Sequence, residues 1–235
     1  GWHPAGGVSW NSNRVLIRRE TTVPVSEFRS DYRGEWSPRF SLAKSFRNFS
    51  IYGIVAKGFS PPTTTELLPS TSVINTDLQA EWGWNHELGI RGGAFSNRLW
   101  YDLNIFYFRL QDAIVQRRDA SGADYFDNAG STKQFGFEGL VKYAILPGVH
   151  SKGNHWKLQY WASFSLQPFK YDNYKSATAD FSGNYIPGVA KQVFGSGLDL
   201  QGPWEINAHL SYQYVDPIWL NDANTRVQPD MLKRL

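Results

Sequence analysis

The stretch Ala80–Leu110, AEWGWNHELGIRGGAFSNRLWYDLNIFYFRL, decides the fold of this chain. Apolar and polar side chains alternate in its first part, and after a turn at Ala94–Asn97 they alternate again. A period of two predicts two β-strands joined as a hairpin. Each strand is roughly twice as long as the five or six residues usual in soluble sheets. Strands of about 9 to 11 residues with one apolar face are typical of a transmembrane β-barrel.

The alternation assigns a face to each side chain of this hairpin. Leu103 belongs to the apolar set, which we expect to face lipid, and Asn104 belongs to the polar set, which we expect to face the barrel lumen. The same rule places the charged residues Glu87 and Arg91, and Glu138 in a later strand, on the lumen side. The apolar set consists of Trp82, Trp84, His86, Leu88, Ile90, Leu99, Tyr101, Leu103, Ile105 and Tyr107.

Composition narrows the class of protein. The hydrophobic content is 41%, and no segment is long and apolar enough for a transmembrane helix, which excludes a helical membrane protein. The chain has 10 Trp, 12 Tyr and 15 Phe, and these aromatic residues collect near strand ends, as the interfacial girdles of an outer-membrane barrel require. An aromatic-rich secreted β-sandwich or carbohydrate-binding module has a similar composition, and strand length favours the barrel.

Charge and cysteine content exclude several kinds of site. The chain has no cysteine, so thiolate metal sites, disulfides and cysteine nucleophiles are excluded. Its net charge is only +3 and its basic residues are scattered, so no nucleic-acid partner is expected. The first residues lack the basic start and apolar run of a signal peptide, and we expect the chain to begin inside a longer protein.

The rest of the chain repeats the pattern of the organising hairpin. We interpret Gly1–Ser30 as a long surface loop that holds part of a strand near Val15–Val23. Further strands are predicted at Arg33–Phe46, Phe49–Phe59, Tyr125–Ile145, His155–Pro168, Pro187–Leu200 and Trp204–Asp216.

The connections between these strands alternate in length. Short turns are predicted at Arg47, Ala94, Pro147 and Gly202. Long connections are predicted at Ser60–Gln79, Gln116–Ala123, Lys170–Ile186 and Pro217–Asn224. Short periplasmic turns that alternate with long extracellular loops are typical of an outer-membrane barrel, and a soluble sandwich gives no reason for this alternation.

Several short motifs, in this order, carry a resemblance to a known family. They are Ser37-Pro38-Arg39, Lys57-Gly58-Phe59-Ser60-Pro61-Pro62, Glu66-Leu67, Trp84-Asn85-His86-Glu87-Leu88-Gly89, Asn128-Ala129-Gly130, Gly136-Phe137-Glu138 and Pro187-Gly188-Val189-Ala190. In order and spacing the chain resembles the C-terminal half of a TonB-dependent outer-membrane receptor, of the ferric-siderophore type found in the Bacteroidetes group.

The resemblance implies a fold and a place in a longer protein. The family's fold is an all-β, antiparallel transmembrane barrel of the 22-stranded class with a plugged lumen. We therefore expect residues 1–235 to be the C-terminal portion of such a barrel, with the plug domain, the segment that engages TonB and the closing strands absent.

The resemblance also implies a function, which is active uptake of a ferric siderophore across the outer membrane of a Gram-negative cell. The implied partners are the TonB complex, bound through the missing N-terminal region, the ferric siderophore or a similar small ligand, outer-membrane lipid and lipopolysaccharide. A TonB-dependent glycan importer of the SusC-like kind is the alternative within transport. A soluble carbohydrate-binding β-sandwich is the alternative from another class.

Basic and aromatic residues in the predicted extracellular loops are candidate ligand contacts. These candidates are Arg117, Arg118, Tyr171, Tyr174 and Trp219. They could bind an anionic iron chelate, or they could serve only as girdle residues and groups that face lipopolysaccharide. Under the resemblance, the charges of Glu87, Arg91 and Glu138 would face the plug; general solvation of a wet lumen explains them equally well.

No motif predicts chemistry. The five histidines (His3, His86, His150, His155 and His209) lack metal-ligand spacing, so no metal site or other cofactor is expected. A serine hydrolase needs a serine, a histidine and an orienting polar group that converge, and only His209 lies on a clearly polar strand face. We therefore expect no enzyme.

Overall fold

The computed structural model describes residues 1–21, 24–69, 74–118, 121–128, 130–147, 156–175 and 179–228. Within these ranges one short helix, α1 (Thr64–Leu67), accompanies fourteen β-strands, and none of the described residues forms a helix long and apolar enough to cross a membrane. The strands are β1 (Trp2–Arg19), β2 (Ser26–Ser45), β3 (Phe49–Ser60), β4 (Glu81–Ala94), β5 (Leu99–Gln111), β6 (Ile114–Arg118), β7 (Asp124–Asn128), β8 (Ser131–Pro147), β9 (Lys157–Leu166), β10 (Lys170–Asn173), β11 (Gln192–Gln201), β12 (Asn207–Val215), β13 (Ile218–Trp219) and β14 (Val227–Gln228).

Ten of these strands form one continuous antiparallel sheet. Its order is β1-β2-β3-β4-β5-β8-β9-β11-β12, and β10 pairs with the start of β8. β6 pairs with β7 and β13 with β14, outside the main sheet. Neighbours along the sheet follow chain order, which is the connectivity of an up-and-down barrel wall and differs from the two stacked sheets of a sandwich.

The organising hairpin, β4 and β5, has the register that its alternation predicts. Leu88 pairs with Ile105 and Ile90 pairs with Leu103 on the apolar face. The turn between the strands places Phe95, Ser96 and Asn97 at positive φ, which lets the chain reverse within four residues. The two predicted faces of this hairpin are confirmed.

The apolar face of the sheet is exposed over its whole width. Leu88 is 54% exposed and Ile105 is 42% exposed, although both lie in central strands. Large exposed side chains continue this face on other strands, namely Trp2, Val8, Trp36, Phe40, Phe135 and Leu210. Monomeric soluble proteins rarely expose so many large apolar side chains on one face, and the lipid-facing side of a barrel wall has this character.

The opposite face is polar and in places lined by glycine. The ring of Tyr52 lies across Gly89, and the ring of Phe106 lies across Gly136, so a Cβ at either glycine would collide with an aromatic ring. These glycines therefore let large rings lie flat on the neighbouring strand.

The prediction for the first thirty residues is wrong. Instead of a surface loop, Trp2–Arg19 is a long strand that pairs with β2 from Trp2 opposite Lys44 to Arg19 opposite Ser26. Glycine, asparagine and Pro4 hide the strand signal in this segment.

Several further boundaries differ from the sequence predictions. The strand predicted from Arg33 begins earlier, at Ser26, and the strand predicted from Pro187 begins later, at Gln192. The strand predicted at Tyr125–Ile145 is divided at Gly130, whose φ is +80°, into β7 and β8. The loop predicted at Gln116–Ala123 belongs largely to the β6–β7 hairpin. The strand predicted from Trp204 begins at Asn207, because Trp204 and Glu205 adopt positive φ and form the turn.

The predicted alternation of connections is confirmed where the structure describes them. Short turns at residues 46–48, 95–98 and 202–206 lie at one end of the strands. The longer connections lie at the other end, and their described residues are 61–69, 74–80, 112–118, 121–128, 130, 167–175 and 179–191. The turn predicted near Pro147 and the histidines His150 and His155 fall mostly or wholly outside the described residues.

Candidate functional site

The described parts of the long connections form a packed layer at one end of the strands. We call it the connection layer; it consists of residues 61–69, 74–80, 112–118, 121–128, 130, 167–175, 179–191 and 216–228, with the adjoining ends of β1 and β2. The buried apolar side chains of the described chain all lie in this layer; they are Tyr32, Leu67, Leu78, Ala113, Tyr171 and Tyr174. Among the described residues, the packed apolar clusters thus belong to this layer, whereas the large side chains on the apolar face of the main sheet are exposed.

One half of the connection layer is organised around Leu67. This residue is fully buried with Tyr32 and Leu78, and the Tyr32 hydroxyl lies 3.4 Å from the Leu78 carbonyl oxygen. The short helix α1 supplies Leu67, and a capping box between Thr63 and Glu66 satisfies its first N–H groups.

The other half is organised around the carboxylate of Asp222. Tyr171 donates to it at 2.8 Å and Tyr174 donates to it at 3.1 Å, with the two rings 4.6 Å apart. Asn184 donates to the Asp222 carbonyl oxygen at 2.8 Å. Asp222, which follows β12 in the chain, therefore fixes the long β9–β11 connection through three hydrogen bonds.

The two tyrosines are protected from ionisation in this setting. Tyr171 is 3% exposed and Tyr174 is 1% exposed. Burial raises the pKa of both phenols, and the neighbouring Asp222 carboxylate raises the pKa of both further. Both hydroxyls thus remain protonated donors to Asp222 over the physiological pH range.

Arg117 joins the β6–β7 hairpin to the same group. Its guanidinium lies 4.9 Å from the centre of the Tyr174 ring and 3.3 Å from the Asp127 carboxylate. The side chain is only 15% exposed, and its buried Nε has no hydrogen-bond partner in the described part of the chain. Arg118 follows it at the end of β6, opposite Asp124 in the register.

Trp219 lies at the margin of this group, on β13. Its ring centre is 5.9 Å from the Lys191 ammonium, which lies 4.1 Å from the ring of Tyr185. The structure thus brings Arg117, Tyr171 and Tyr174 together and places Trp219 beside Lys191. The prediction that these residues contact a ligand stays a prediction, and the Tyr171 and Tyr174 hydroxyls are already engaged by Asp222.

The charges predicted for the lumen lie on the polar face of the sheet. Arg91 is directly opposite Asp102, and Glu138 is directly opposite Asn104. Glu87 lies opposite Phe106 on the same face. Acidic and basic groups thus share one patch of this wall, and a plug partner for it stays a prediction.

The histidines that the structure describes lie apart from each other. His86 faces the apolar side between Val55 and Tyr107, and His209 pairs with Asp199 at 2.5 Å across β11 and β12. His3 lies on the same polar face as His209. Sequence analysis does not place it there, because it assigns Gly1–Ser30 to a loop. The described residues contain no group of three or more histidines and carboxylates placed to hold a metal.

Sequence analysis missed the residue that organises the layer. Asp222 lies in the predicted loop Pro217–Asn224, in which Trp219 is the candidate ligand contact predicted from the sequence. The run Asn221-Asp222-Ala223-Asn224 carried a signal, since Asn and Asp favour turns that hydrogen-bond to nearby backbone. Asn224 does so with the Tyr185 backbone, accepting from its N–H at 2.7 Å and donating to its carbonyl oxygen at 2.9 Å.

Comparison with known proteins extends over nearly the whole chain. Residues 1–232 match the family described as TonB dependent receptor-like, beta-barrel. Among solved structures, the ferric yersiniabactin uptake receptor FyuA from Yersinia pestis is 17% identical, with 98% of this chain and 34% of that chain covered and a TM-score of 0.69. The siderophore receptor PiuA from Acinetobacter baumannii is 18% identical, with 98% and 33% covered and a TM-score of 0.70.

A third solved structure has a different cargo in its description. The copper transporter OprC is 15% identical, with 92% of this chain and 33% of that chain covered and a TM-score of 0.65. At these identities the likeness concerns the fold. The chain spans about a third of the length of the structures it matches.

Proposed function

Because this chain belongs to the TonB-dependent receptor-like β-barrel family, we propose that it is the C-terminal portion of the barrel of an outer-membrane active transporter. The observation that carries the proposal is the family match over residues 1–232. An exposed apolar sheet face backed by a polar face supports it, because a transmembrane barrel wall needs both. The partners we propose are the TonB complex, the lipids of the outer membrane and a small ligand taken up from outside.

A ferric siderophore is the ligand class that we propose. Two of the solved structures with this fold are described as a ferric yersiniabactin uptake receptor and a siderophore receptor. Arg117, Arg118 and Trp219 are the proposed contacts for an anionic chelate, since guanidinium and aromatic groups suit its charge and rings. Tyr171 and Tyr174 would contribute mainly by holding these connections through Asp222.

Uptake in whole cells tests this proposal. The full-length receptor is expressed in a strain that lacks its own siderophore receptors, and uptake of radioactive iron is measured with a panel of ferric siderophores, with and without TonB. We expect TonB-dependent iron uptake with at least one siderophore. Uptake of copper or an oligosaccharide in place of every chelate would contradict the ligand class, and uptake that does not need TonB would contradict the mechanism.

A further inference from the structure

The β6–β7 hairpin lies between the two halves of the connection layer. Ile114 and Phe126 pack against the half organised around Leu67, whereas Val115 packs against the half organised around Asp222. Successive side chains of a strand point to opposite faces, so the hairpin presents one face to each half. Among the described strands, β6 and β7 are the ones that together contribute to both clusters.

This hairpin depends on contacts at its base for its position. In the described part of the chain neither β6 nor β7 pairs with a third strand. A two-stranded hairpin alone is only marginally stable in water. The base, where Ile114 pairs with Asn128, is therefore where the hairpin must be held.

The side chain of Asn128 provides most of this attachment. Its Nδ2 donates to the Gln79 carbonyl oxygen at 3.1 Å and to the Asp112 carbonyl oxygen at 2.6 Å. Its Oδ1 accepts from the Gln79 N–H at 2.8 Å. Asn128 thus pairs with both backbone groups of Gln79, as a neighbouring strand would, and joins the end of β7 to the connections before β4 and after β5.

Two further contacts fix the base of the hairpin. The Glu81 carboxylate accepts from the Ile114 N–H at 2.7 Å. Gly130 has a φ of +80°, and a Cβ at this position would collide with the carbonyl oxygen of Asn173. The motif that begins at Asn128 and ends at Gly130 therefore has a physical reason at both ends, one for its hydrogen bonds and one for a close backbone approach.

The base of the hairpin determines where Arg117 lies. Arg117 is three residues after Ile114 in β6, or about 10 Å along the strand. Its guanidinium lies 4.9 Å from the centre of the Tyr174 ring, and its side chain is only 15% exposed. A hairpin released at its base would take the guanidinium away from this contact.

We propose that Asn128 is a positioning residue that holds Arg117 in place for capture of an anionic ligand. The inference rests on the proposed function, in which Arg117 is a contact for the ligand. The three hydrogen bonds of the Asn128 side chain are made within the chain, so this residue acts through the hairpin. If Arg117 occupies its place for a smaller fraction of time, the apparent affinity for the ligand falls by that fraction.

Modification of arginine by phenylglyoxal tests the first step without any ligand. The purified full-length receptor is held in nonionic detergent micelles, and the modification rate of Arg117 is measured by mass spectrometry. Asn128→Ala removes three hydrogen bonds, so Arg117 should react on the order of tenfold faster than in wild type. Arg47, exposed in a short turn at the other end of the strands, should react equally in both proteins. An unchanged rate at Arg117 would overturn the proposal.

Binding affinity separates positioning from general stability. The dissociation constant and the binding capacity are measured with the panel of ferric siderophores used for uptake. Arg117→Gln should weaken binding on the order of tenfold. Asn128→Ala should also weaken binding, by no more than this and with unchanged capacity, and the double variant should bind no more weakly than Arg117→Gln. Unchanged affinity in Asn128→Ala, or additive losses in the double variant, would overturn the proposal.

Another asparagine provides a control outside the connections. The Nδ2 of Asn11 lies within hydrogen-bond distance of the hydroxyls of Ser9 and Ser37, at 3.4 Å and 3.2 Å, on the polar face of β1 and β2. Asn11→Ala should leave the modification rate of Arg117 as in wild type. An equal rise in this variant would show a general loosening of the receptor and would count against a specific role of Asn128.

A milder variant keeps the test valid if Asn128→Ala does not fold. Asn75 donates to the Phe126 carbonyl oxygen in β7 at 2.8 Å. Asn75→Ala removes this one attachment and should raise the modification rate of Arg117 about two- to tenfold. No rise would overturn the proposal.

Failure of the proposed function gives a different result from failure of this inference. If no siderophore of the panel bound to the wild-type receptor, the ligand class would be wrong. The modification rate of Arg117 would still decide whether Asn128 holds this arginine, because that measurement uses no siderophore.

Discussion

The sheet and the connection layer are stabilised in opposite ways. The sheet has long, regular ladders of backbone hydrogen bonds, and its largest apolar side chains are exposed. The connection layer has short, irregular segments, yet it holds the buried apolar side chains of the described chain, including Leu67 at 0% exposure and Tyr174 at 1%. One chain thus combines a wall with an exposed apolar face and a layer that buries its own core.

The difference shows where specific side-chain contacts matter. On the lipid side of a barrel wall, any apolar side chain satisfies the environment, and the backbone ladders fix the geometry. In the connection layer, the geometry depends on particular donors and acceptors, such as Asp222 with its two tyrosines. We therefore expect the wall to be sensitive to charge and the layer to be sensitive to single hydrogen bonds.

The largest effect is expected from an arginine on the apolar face. Leu103 lies opposite Ile90 and Gly139 in the middle of β5, with its side chain on the apolar face. In the full-length receptor, Leu103→Arg should cost about 2 to 4 kcal/mol of folding free energy, because the charge lies near the bilayer midplane. Folding into lipid vesicles at increasing urea concentrations measures this cost.

Asn104 provides the adjacent control on the polar face. Asn104→Arg can remain hydrated in the lumen and lies opposite the Glu138 carboxylate, so it should cost much less than Leu103→Arg. Leu103→Trp should be tolerated against fluid lipid, whereas it would overpack a protein core by about 1 to 3 kcal/mol. A larger cost for Asn104→Arg would reverse the faces, and a cost for Leu103→Trp equal to that of Leu103→Arg would place Leu103 against protein.

The wall could be predicted from the sequence because its rule is local. The hairpin of β4 and β5 follows from a period of two and one turn, so its register and faces are confirmed. The rule fails where composition hides the period, as in Trp2–Arg19, whose glycines, asparagines and Pro4 weaken the alternation although a neighbour strand supplies its hydrogen bonds. Tertiary pairing therefore overrides local propensity in that strand.

The connection layer could be only partly predicted because its contacts are distant in sequence. The sequence predicts Tyr171 and Tyr174 as candidate loop aromatics, but their partner Asp222 is 51 and 48 residues away. No periodicity links such positions, and a loop aspartate has many possible roles.

An intermediate effect is expected from Asp222→Ala, which tests the side-chain dependence of the connection layer. The change leaves the buried hydroxyls of Tyr171 and Tyr174 without their acceptor, and each unsatisfied donor costs about 1 to 3 kcal/mol. Hydrogen exchange should accelerate at the amides of Tyr171, Phe181 and Gly183, whose backbone bonds close this connection. Exchange in the ladder of β4 and β5 should not change.

Asp77→Ala is the matched change in the other half of the layer. Asp77 lies near Leu78, and its carboxylate accepts from the Thr76 hydroxyl at 3.3 Å. This variant should leave exchange at Tyr171, Phe181 and Gly183 as in wild type. If Asp222→Ala accelerated exchange equally in β4 and β5, the layer and the wall would unfold as one unit and the comparison would fail.

The smallest effect is expected from removing one hydroxyl at a time. Tyr171→Phe and Tyr174→Phe keep the ring contact at 4.6 Å and lose only a hydrogen bond to Asp222, so each should cost about 0.5 to 1.5 kcal/mol of local stability by hydrogen exchange. Tyr171→Phe should cost more, because its bond is 2.8 Å against 3.1 Å for Tyr174. A double-mutant cycle of Tyr171→Phe with Asp222→Ala should be non-additive, since the second change finds the bond already lost. Full additivity would show that the hydroxyl and the carboxylate act independently, and the connection layer would then depend on burial alone, as an ordinary apolar core does.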